Sequence, residues 1–130
     1  MAALLSDYLQ EQAARRFEWG VADCFTFAAG WLDQLKGKSA LNLWCGQYHD
    51  AASADRFIAA GGGFATIVGQ WMIEHYGVRP CKPGRGIVVL AQCQKRKVMG
   101  LRVDDLSLAF RTESGLLITK RARVLKEWGF

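Results

Sequence analysis

The stretch Trp19-Gly20-Val21-Ala22-Asp23-Cys24 constrains the fold of this chain more than any other. A glycine turn precedes Asp23, and a mostly apolar segment with helical spacing follows it. Asp23 is a good helix N-cap, because its short side chain can accept hydrogen bonds from the free N–H groups of the first turn. We therefore expect a central helix from Cys24 to about Leu35. Since it is apolar on most sides, it should be buried.

The position of Cys24 makes it a candidate catalytic nucleophile. At the first turn of a helix, unpaired backbone N–H groups and the helix dipole favour the thiolate, which is the reactive form of cysteine. The alternative is that Cys24 packs as a small hydrophobic residue, since it shares a helical stripe with Ala28 and Trp31. The sequence leaves both interpretations open.

The hydrophobic spacing of the whole chain predicts helices first and a small antiparallel sheet afterwards, which is an α+β layout. Besides the central helix, the predicted helices are residues 3–15, 51–60 and 64–76. The predicted strands are residues 87–90, 98–103, 106–111 and 116–119, with a hairpin tip at 95–97. Residues 40–48 read as a loop packed by aromatic side chains, and residues 122–128 as a short helix or irregular tail. We expect residues 1–130 to form a single domain.

Composition restricts the class of protein. The apolar fraction of 51% argues against a disordered chain. The sequence has no apolar run of membrane-spanning length and no signal-peptide pattern, so we expect no stable membrane insertion and synthesis in a cytoplasm. The net charge is +5, but the basic residues are spread out apart from two short clusters, and no nucleic-acid-binding motif accompanies them. We therefore expect no nucleic-acid partner.

The four cysteines are Cys24, Cys45, Cys81 and Cys93. Their wide, irregular spacing fits free thiols in a reducing compartment better than a disulfide framework. No Cys-x-x-Cys pair is present, so the signal for a zinc or iron-sulfur site is weak, although a site assembled from distant positions stays open. We expect no metal and no cofactor.

The order and spacing of short motifs along nearly the whole chain resemble the NlpC-like branch of the papain-like cysteine peptidases. More narrowly, the chain resembles a family of NlpC-like domain proteins of unknown function that are encoded among bacteriophage and prophage tail genes. The matching residues are Phe17, Trp19-Gly20, Asp23-Cys24, Phe27-Ala28-Ala29, Gly46-Gln47-Tyr48 with Ala52, Gly84 before Ile87–Leu90, Met99-Gly100-Leu101, Ala109-Phe110, Gly115-Leu116 and Trp128.

The resemblance also implies where a catalytic base should stand. In active members the cysteine attacks an amide of cell-wall peptide, and a histidine in the pattern His-Val-Gly-Ile acts as base. The corresponding residues here are Val98-Met99-Gly100-Leu101, so Val98 occupies the expected histidine position. The following strand, 106–110, offers no His, Asn or Gln to orient a histidine. The two histidines of the chain, His49 and His75, lie in no supporting motif, so no base is identified.

The resemblance therefore implies a structural or assembly protein of a phage tail, near the tail tip, with a degenerate peptidase domain. Such a protein would be made in the host cytoplasm, would reside in the virion and would bind other tail proteins. Trp44, Tyr48 and Trp128 would be natural contact residues if they are exposed. The alternative is an active hydrolase of peptidoglycan peptide, with Cys24 as nucleophile and an unconventional or partner-supplied base. A second alternative is a tail component with a cysteine-ligated metal or iron-sulfur cluster.

Overall fold

The computed structural model describes residues 2–93 and 95–129, and it has the predicted α+β architecture. The α-helices in these ranges are α1 (Ala2–Ala13), α2 (Cys24–Lys36), α3 (Ala51–Ala60) and α4 (Phe64–Tyr76). The bounds of α3 and α4 are those predicted, whereas α1 begins and ends earlier than expected. A short 3-10 helix, Ala40–Leu43, lies within the segment that was predicted to be a loop.

The C-terminal half forms one antiparallel sheet of six strands within the described ranges. Its strands are β1 (Arg79–Pro80), β2 (Val88–Cys93), β3 (Arg96–Arg102), β4 (Leu108–Thr112), β5 (Gly115–Thr119) and β6 (Arg123–Gly129). Their order across the sheet is β1-β6-β2-β3-β4-β5. The predicted hairpin tip is shorter than expected, because Arg96 and Lys97 already belong to β3.

The prediction of a short helix or irregular tail for residues 122–128 is wrong. These residues form β6, which pairs with β2 on one side and with the short β1 on the other. The pairing brings Trp128 opposite Val88 and buries it in the main core. Partners 31 to 50 positions earlier in the chain pair with β6, so the local sequence pattern does not reveal the strand.

Helix α2 is the buried central helix that the sequence predicted. It packs against β2, β3 and β4 in the middle of the sheet, and Phe25, Phe27 and Trp31 are almost fully buried. The indole Nε1 of Trp31 donates a 2.9 Å hydrogen bond to the carbonyl oxygen of Gly86, in the turn that leads into β2. The helix is thus fixed both by apolar packing and by a direct bond to the sheet.

The opposite face of the sheet carries a second, smaller hydrophobic cluster. Val89 and Ala91 of β2 meet Leu108 and Phe110 of β4 there, as expected for residues that alternate with the core-facing positions of their strands. Within the described residues, no helix is long and apolar enough to span a membrane.

Candidate functional site

The candidate site begins at the turn before α2, where Gly20 packs against the backbone of Tyr48. Gly20 has a φ of +81°, and a Cβ atom at this position would overlap the carbonyl oxygen of Tyr48. The amide of Gly46 also donates a 3.3 Å hydrogen bond to the carbonyl oxygen of Gly20. Only glycine allows both the left-handed conformation and the close approach. The turn and the loop of residues 46–48 are therefore held together.

Asp23 is the N-cap of α2, as the sequence predicted. Its Oδ1 accepts a 3.0 Å hydrogen bond from the Thr26 amide, and the Thr26 hydroxyl oxygen accepts a 2.8 Å bond from the Asp23 amide. Its Oδ2 accepts hydrogen bonds from the Gly20 amide, at 3.0 Å, and from the hydroxyl of Tyr48. Because a buried carboxylate is costly without such donors, Asp23 acts as an anchor between the turn, the helix and the loop.

The loop side of this anchor is aromatic and buried. The indole of Trp44 donates a 3.1 Å hydrogen bond to the hydroxyl oxygen of Tyr48, and its rings stack on Phe25 at 3.9 Å between centroids. Burial and the neighbouring Asp23 carboxylate raise the pKa of Tyr48 above its usual range, so its hydroxyl stays protonated and donates. Trp44, Tyr48 and Trp128 are all buried, which excludes the sequence-based suggestion that they are exposed contact residues.

Cys24 is the first residue of α2 and is partly buried. Burial, with a further contribution from the Asp23 carboxylate, raises the pKa of its thiol to about 12. Hydrogen bonds from the backbone amides of Met99 and Phe25 oppose this rise but do not cancel it. Desolvation is the largest of these influences, so burial opposes the stabilisation of the thiolate that the helix N-terminus was expected to provide. At neutral pH the thiol is protonated.

A cavity of about 760 Å³ opens beside Cys24, and Val98 also lines it. Cys24 and Val98 therefore line one cavity, although Val98 packs against the second hydrophobic cluster, on the face of the sheet away from α2. Neither histidine lines this cavity: His49 is exposed, with its Nε2 3.5 Å from the Asp50 carboxylate, and His75 packs on Trp71 at 3.9 Å between ring centroids. Among the described lining residues, therefore, no imidazole can act as base for Cys24.

The cavity also contains a buried cation that the sequence reasoning missed. Arg111 of β4 lines it, and one guanidinium nitrogen, Nη2, donates hydrogen bonds to the backbone oxygen of Gln12 at 3.2 Å and to its side-chain oxygen. The guanidinium carbon lies 5.6 Å from the centre of the Phe27 ring. Two exposed basic residues of β3, Arg96 and Lys97, line the same cavity. A lone arginine at the end of an apolar strand gives no sequence signal for such a site.

The four cysteines are free thiols in the structure, as predicted. Of these, Cys24 and Cys93 line the cavity, whereas Cys81 lies in a separate groove between α4 and β6. Within residues 2–93 and 95–129, no three His, Cys, Asp or Glu residues lie together as a metal site would require. The arrangement gives no support to the metal alternative.

Comparisons with known proteins add the family of the chain. No curated protein and no solved structure matched it. A family model described as "Domain of unknown function (DUF6950)" matches residues 1–130. Because the match covers the full length of the sequence, the chain belongs to this family of proteins.

Proposed function

We propose that this chain is a structural or assembly component of a bacteriophage tail, built on an NlpC-like domain that binds rather than cleaves. The observation that carries the proposal is that Cys24 and Val98 line one cavity that neither His49 nor His75 lines. We infer the location in the tail, near its tip, from the resemblance of the sequence motifs. We infer the loss of hydrolysis from the residues that line the cavity and from the raised pKa of Cys24.

The architecture supports an NlpC-like assignment. A helix that begins with the candidate cysteine is buried against the middle of an antiparallel sheet, and β3, the strand that carries the expected base position, packs against that helix. In the layout that the resemblance implies, a cysteine on a helix faces a histidine on the sheet. Here the side chain of Val98 instead packs against the second hydrophobic cluster, on the face of the sheet away from α2.

The chemistry of the cavity disfavours hydrolysis. A cysteine hydrolase needs the thiolate, and the base that removes the proton later donates it to the leaving amine. With a thiol pKa of about 12, the thiolate is a very minor species at pH 7. Valine can neither accept nor donate a proton, so Val98 supplies neither step. A cavity whose residues supply neither a thiolate nor a base is better suited to binding a ligand than to cleaving it.

The tail assignment is tested in the phage or prophage that encodes the chain. An epitope-tagged copy should co-purify with intact particles on a density gradient, and labelled antibody should decorate the tail. Deleting the gene should leave particles with incomplete tails, and the unaltered gene supplied in trans should restore them. Complete tails in the deletion strain, together with absence of the tag from particles, would overturn the assignment.

The loss of hydrolysis is tested with purified protein and peptidoglycan peptides. We expect no cleavage by the unaltered protein and none by Cys24→Ala, which serves as the matched control. Cleavage that is present in the unaltered protein and absent in Cys24→Ala would establish the alternative, a hydrolase with an unconventional base. Val98→His places an imidazole at the missing base position and tests whether the cavity retains any catalytic geometry.

A further inference from the structure

Arg111 is a buried guanidinium with no carboxylate partner among the described residues. Its exposed fraction is 3%, and no salt bridge to it is formed within the ranges that the structure describes. The Nε atom is buried and makes no hydrogen bond to any described residue. Its hydrogen-bond acceptors are neutral oxygens of Gln12, and its flat face lies over Phe27. The positive charge is therefore hydrogen-bonded on one side but not neutralised.

Such a group is unusual in a protein interior. A guanidinium keeps its charge under all ordinary conditions, and buried charges are normally paired with an opposite charge. Burial lowers the pKa of Arg111, which is the direction expected for a cation that lacks compensation. A neutral amide oxygen and an aromatic ring offset only part of the cost of desolvation.

Arg111 lines the same cavity as Cys24, together with the aromatic side chains of Phe17 and Trp19. Its positive charge can therefore interact with a molecule that binds in the cavity. Arg96 and Lys97 add two exposed positive charges to the lining. Carboxylates line the cavity as well, but Asp23 is held by its own three donors, and the others are the exposed Asp55 and Glu113.

We propose that this cavity binds an organic carboxylate, with the carboxylate at Arg111 and an apolar body against Phe17 and Trp19. A planar guanidinium matches the geometry of a carboxylate, and the aromatic wall suits an apolar body better than a hydrated phosphate. The volume of about 760 Å³ lies in the range of small-molecule sites. The inference goes beyond the proposed function, since the site requires neither a tail nor any hydrolysis.

Binding of N-acetyl-L-phenylalanine and of its carboxamide to the purified full-length protein tests the proposal. The two probes differ only in the charged group, and the Trp19 and Trp44 indoles that line the cavity provide a fluorescence signal, with calorimetry as a second readout. We expect the acid to bind at least about tenfold more tightly than the amide, because only the acid can accept a charge-assisted hydrogen bond from Arg111. Equal binding of the two probes would overturn the proposal, and so would failure of both this acid and the free peptide described below.

The role of Arg111 is tested with Arg111→Met and with Arg123→Met as the matched control. Arg123 is an exposed arginine of β6 that does not line the cavity. We expect Arg111→Met to abolish the preference for the acid and Arg123→Met to retain it; an unchanged preference in a folded Arg111→Met would contradict the assignment. If Arg111→Met does not fold, the comparison of acid and amide on the unaltered protein still decides whether the cavity prefers a carboxylate. We then also expect Lys97→Met to bind the acid more weakly than the unaltered protein does.

The source of the carboxylate is distinguished by a second pair of probes. A short peptide that ends in phenylalanine is compared with the same peptide amidated at its C-terminus. Tighter binding of the free peptide than of N-acetyl-L-phenylalanine would identify a chain terminus as the ligand, whereas weaker binding would identify a small free acid. Failure of both free acids would overturn the site, while the tail assignment would be untouched.

Discussion

The Tyr48 hydroxyl donates a hydrogen bond to the Asp23 carboxylate, the group that also caps the helix bearing Cys24. One buried carboxylate thus fixes three parts of the chain: the turn at Gly20, the first turn of α2, and the loop that ends at Tyr48. The position of Cys24 beside the cavity depends on this connection. Asp23 therefore stabilises the site without itself lying free to react.

The first prediction concerns this anchor. Asp23→Ala removes acceptors from the Gly20 amide, the Thr26 amide and the Tyr48 hydroxyl, and it leaves buried donors without partners. We expect the free energy of unfolding to fall by about 3 kcal/mol or more, measured by urea denaturation. Asp50→Ala is the matched control, because Asp50 caps α3 with the same capping box but is exposed. Equal losses in the two variants would contradict the anchoring role.

The second prediction separates backbone strain from close approach at Gly20. Gly20 and Gly37 both have positive φ, at +81° and +60°, but only Gly20 faces a nearby carbonyl oxygen, that of Tyr48. Gly37→Ala adds conformational strain alone, which costs on the order of 1 kcal/mol. Gly20→Ala adds an overlap that can be relieved only if the loop moves, so we expect a clearly larger drop in the free energy of unfolding. Similar melting temperatures for the two variants would show that the loop yields easily.

The third prediction concerns the reactivity of Cys24. In a Cys45→Ser, Cys81→Ser, Cys93→Ser background, iodoacetamide should alkylate Cys24 at least about tenfold more slowly at pH 8 in the folded protein than in urea. The raised thiol pKa, about 12 instead of 9.0, depletes the thiolate, and the greater nucleophilicity of a thiolate with a higher pKa offsets only part of this loss. Mass spectrometry across a pH series gives the rate. An apparent pKa below 9 would show that the helix dipole prevails over desolvation.

The same shift determines a pH dependence of stability. The folded-state pKa of Cys24 lies above its unfolded value, so the contribution of the protonated thiol is complete below about pH 9 and is lost as the pH rises towards 12. We expect the unfolding free energy of the unaltered protein to fall more steeply over this window than that of Cys24→Ala. The raised pKa values of Tyr8, Tyr48 and Tyr76 act in the same direction in both proteins, so the difference between the two proteins reports Cys24 together with its small effect on the pKa of Tyr48.

The features that the sequence predicted are those set by residues close together in the chain. The start of α2 follows from Asp23, and the bounds of α3 and α4 follow from Asp50 and from the C-terminal Gly77. Capping is local, since it depends on a side chain and the amides of the next turn. The identity of Val98 at the expected base position was also readable, because it rests on a short motif.

The features that the sequence missed depend on partners far away in the chain. Strand β6 exists because β2 supplies its backbone partners, and its last residues are buried by packing that no local pattern records. Arg111 reaches Gln12, 99 positions earlier, so neither its burial nor its place in the cavity could be foreseen. The raised pKa of Cys24 likewise results from tertiary burial, whereas the helix start that suggested a thiolate is local.

The last prediction concerns the ion pair that holds β6 in the sheet. The Arg102 Nε lies 2.8 Å from the Glu127 Oε1, with side-chain exposures of 9% and 11%, and it joins β3 to β6 across the intervening β2. Glu127→Ala leaves a buried guanidinium without its carboxylate, so we expect the free energy of unfolding to fall by about 3 kcal/mol, measured by urea denaturation. The double variant Arg102→Met, Glu127→Leu removes both charges and should restore most of this loss. A double variant as unstable as Glu127→Ala would mean that the charges themselves are required, because the apolar pair would then fail to substitute for them in joining the two strands.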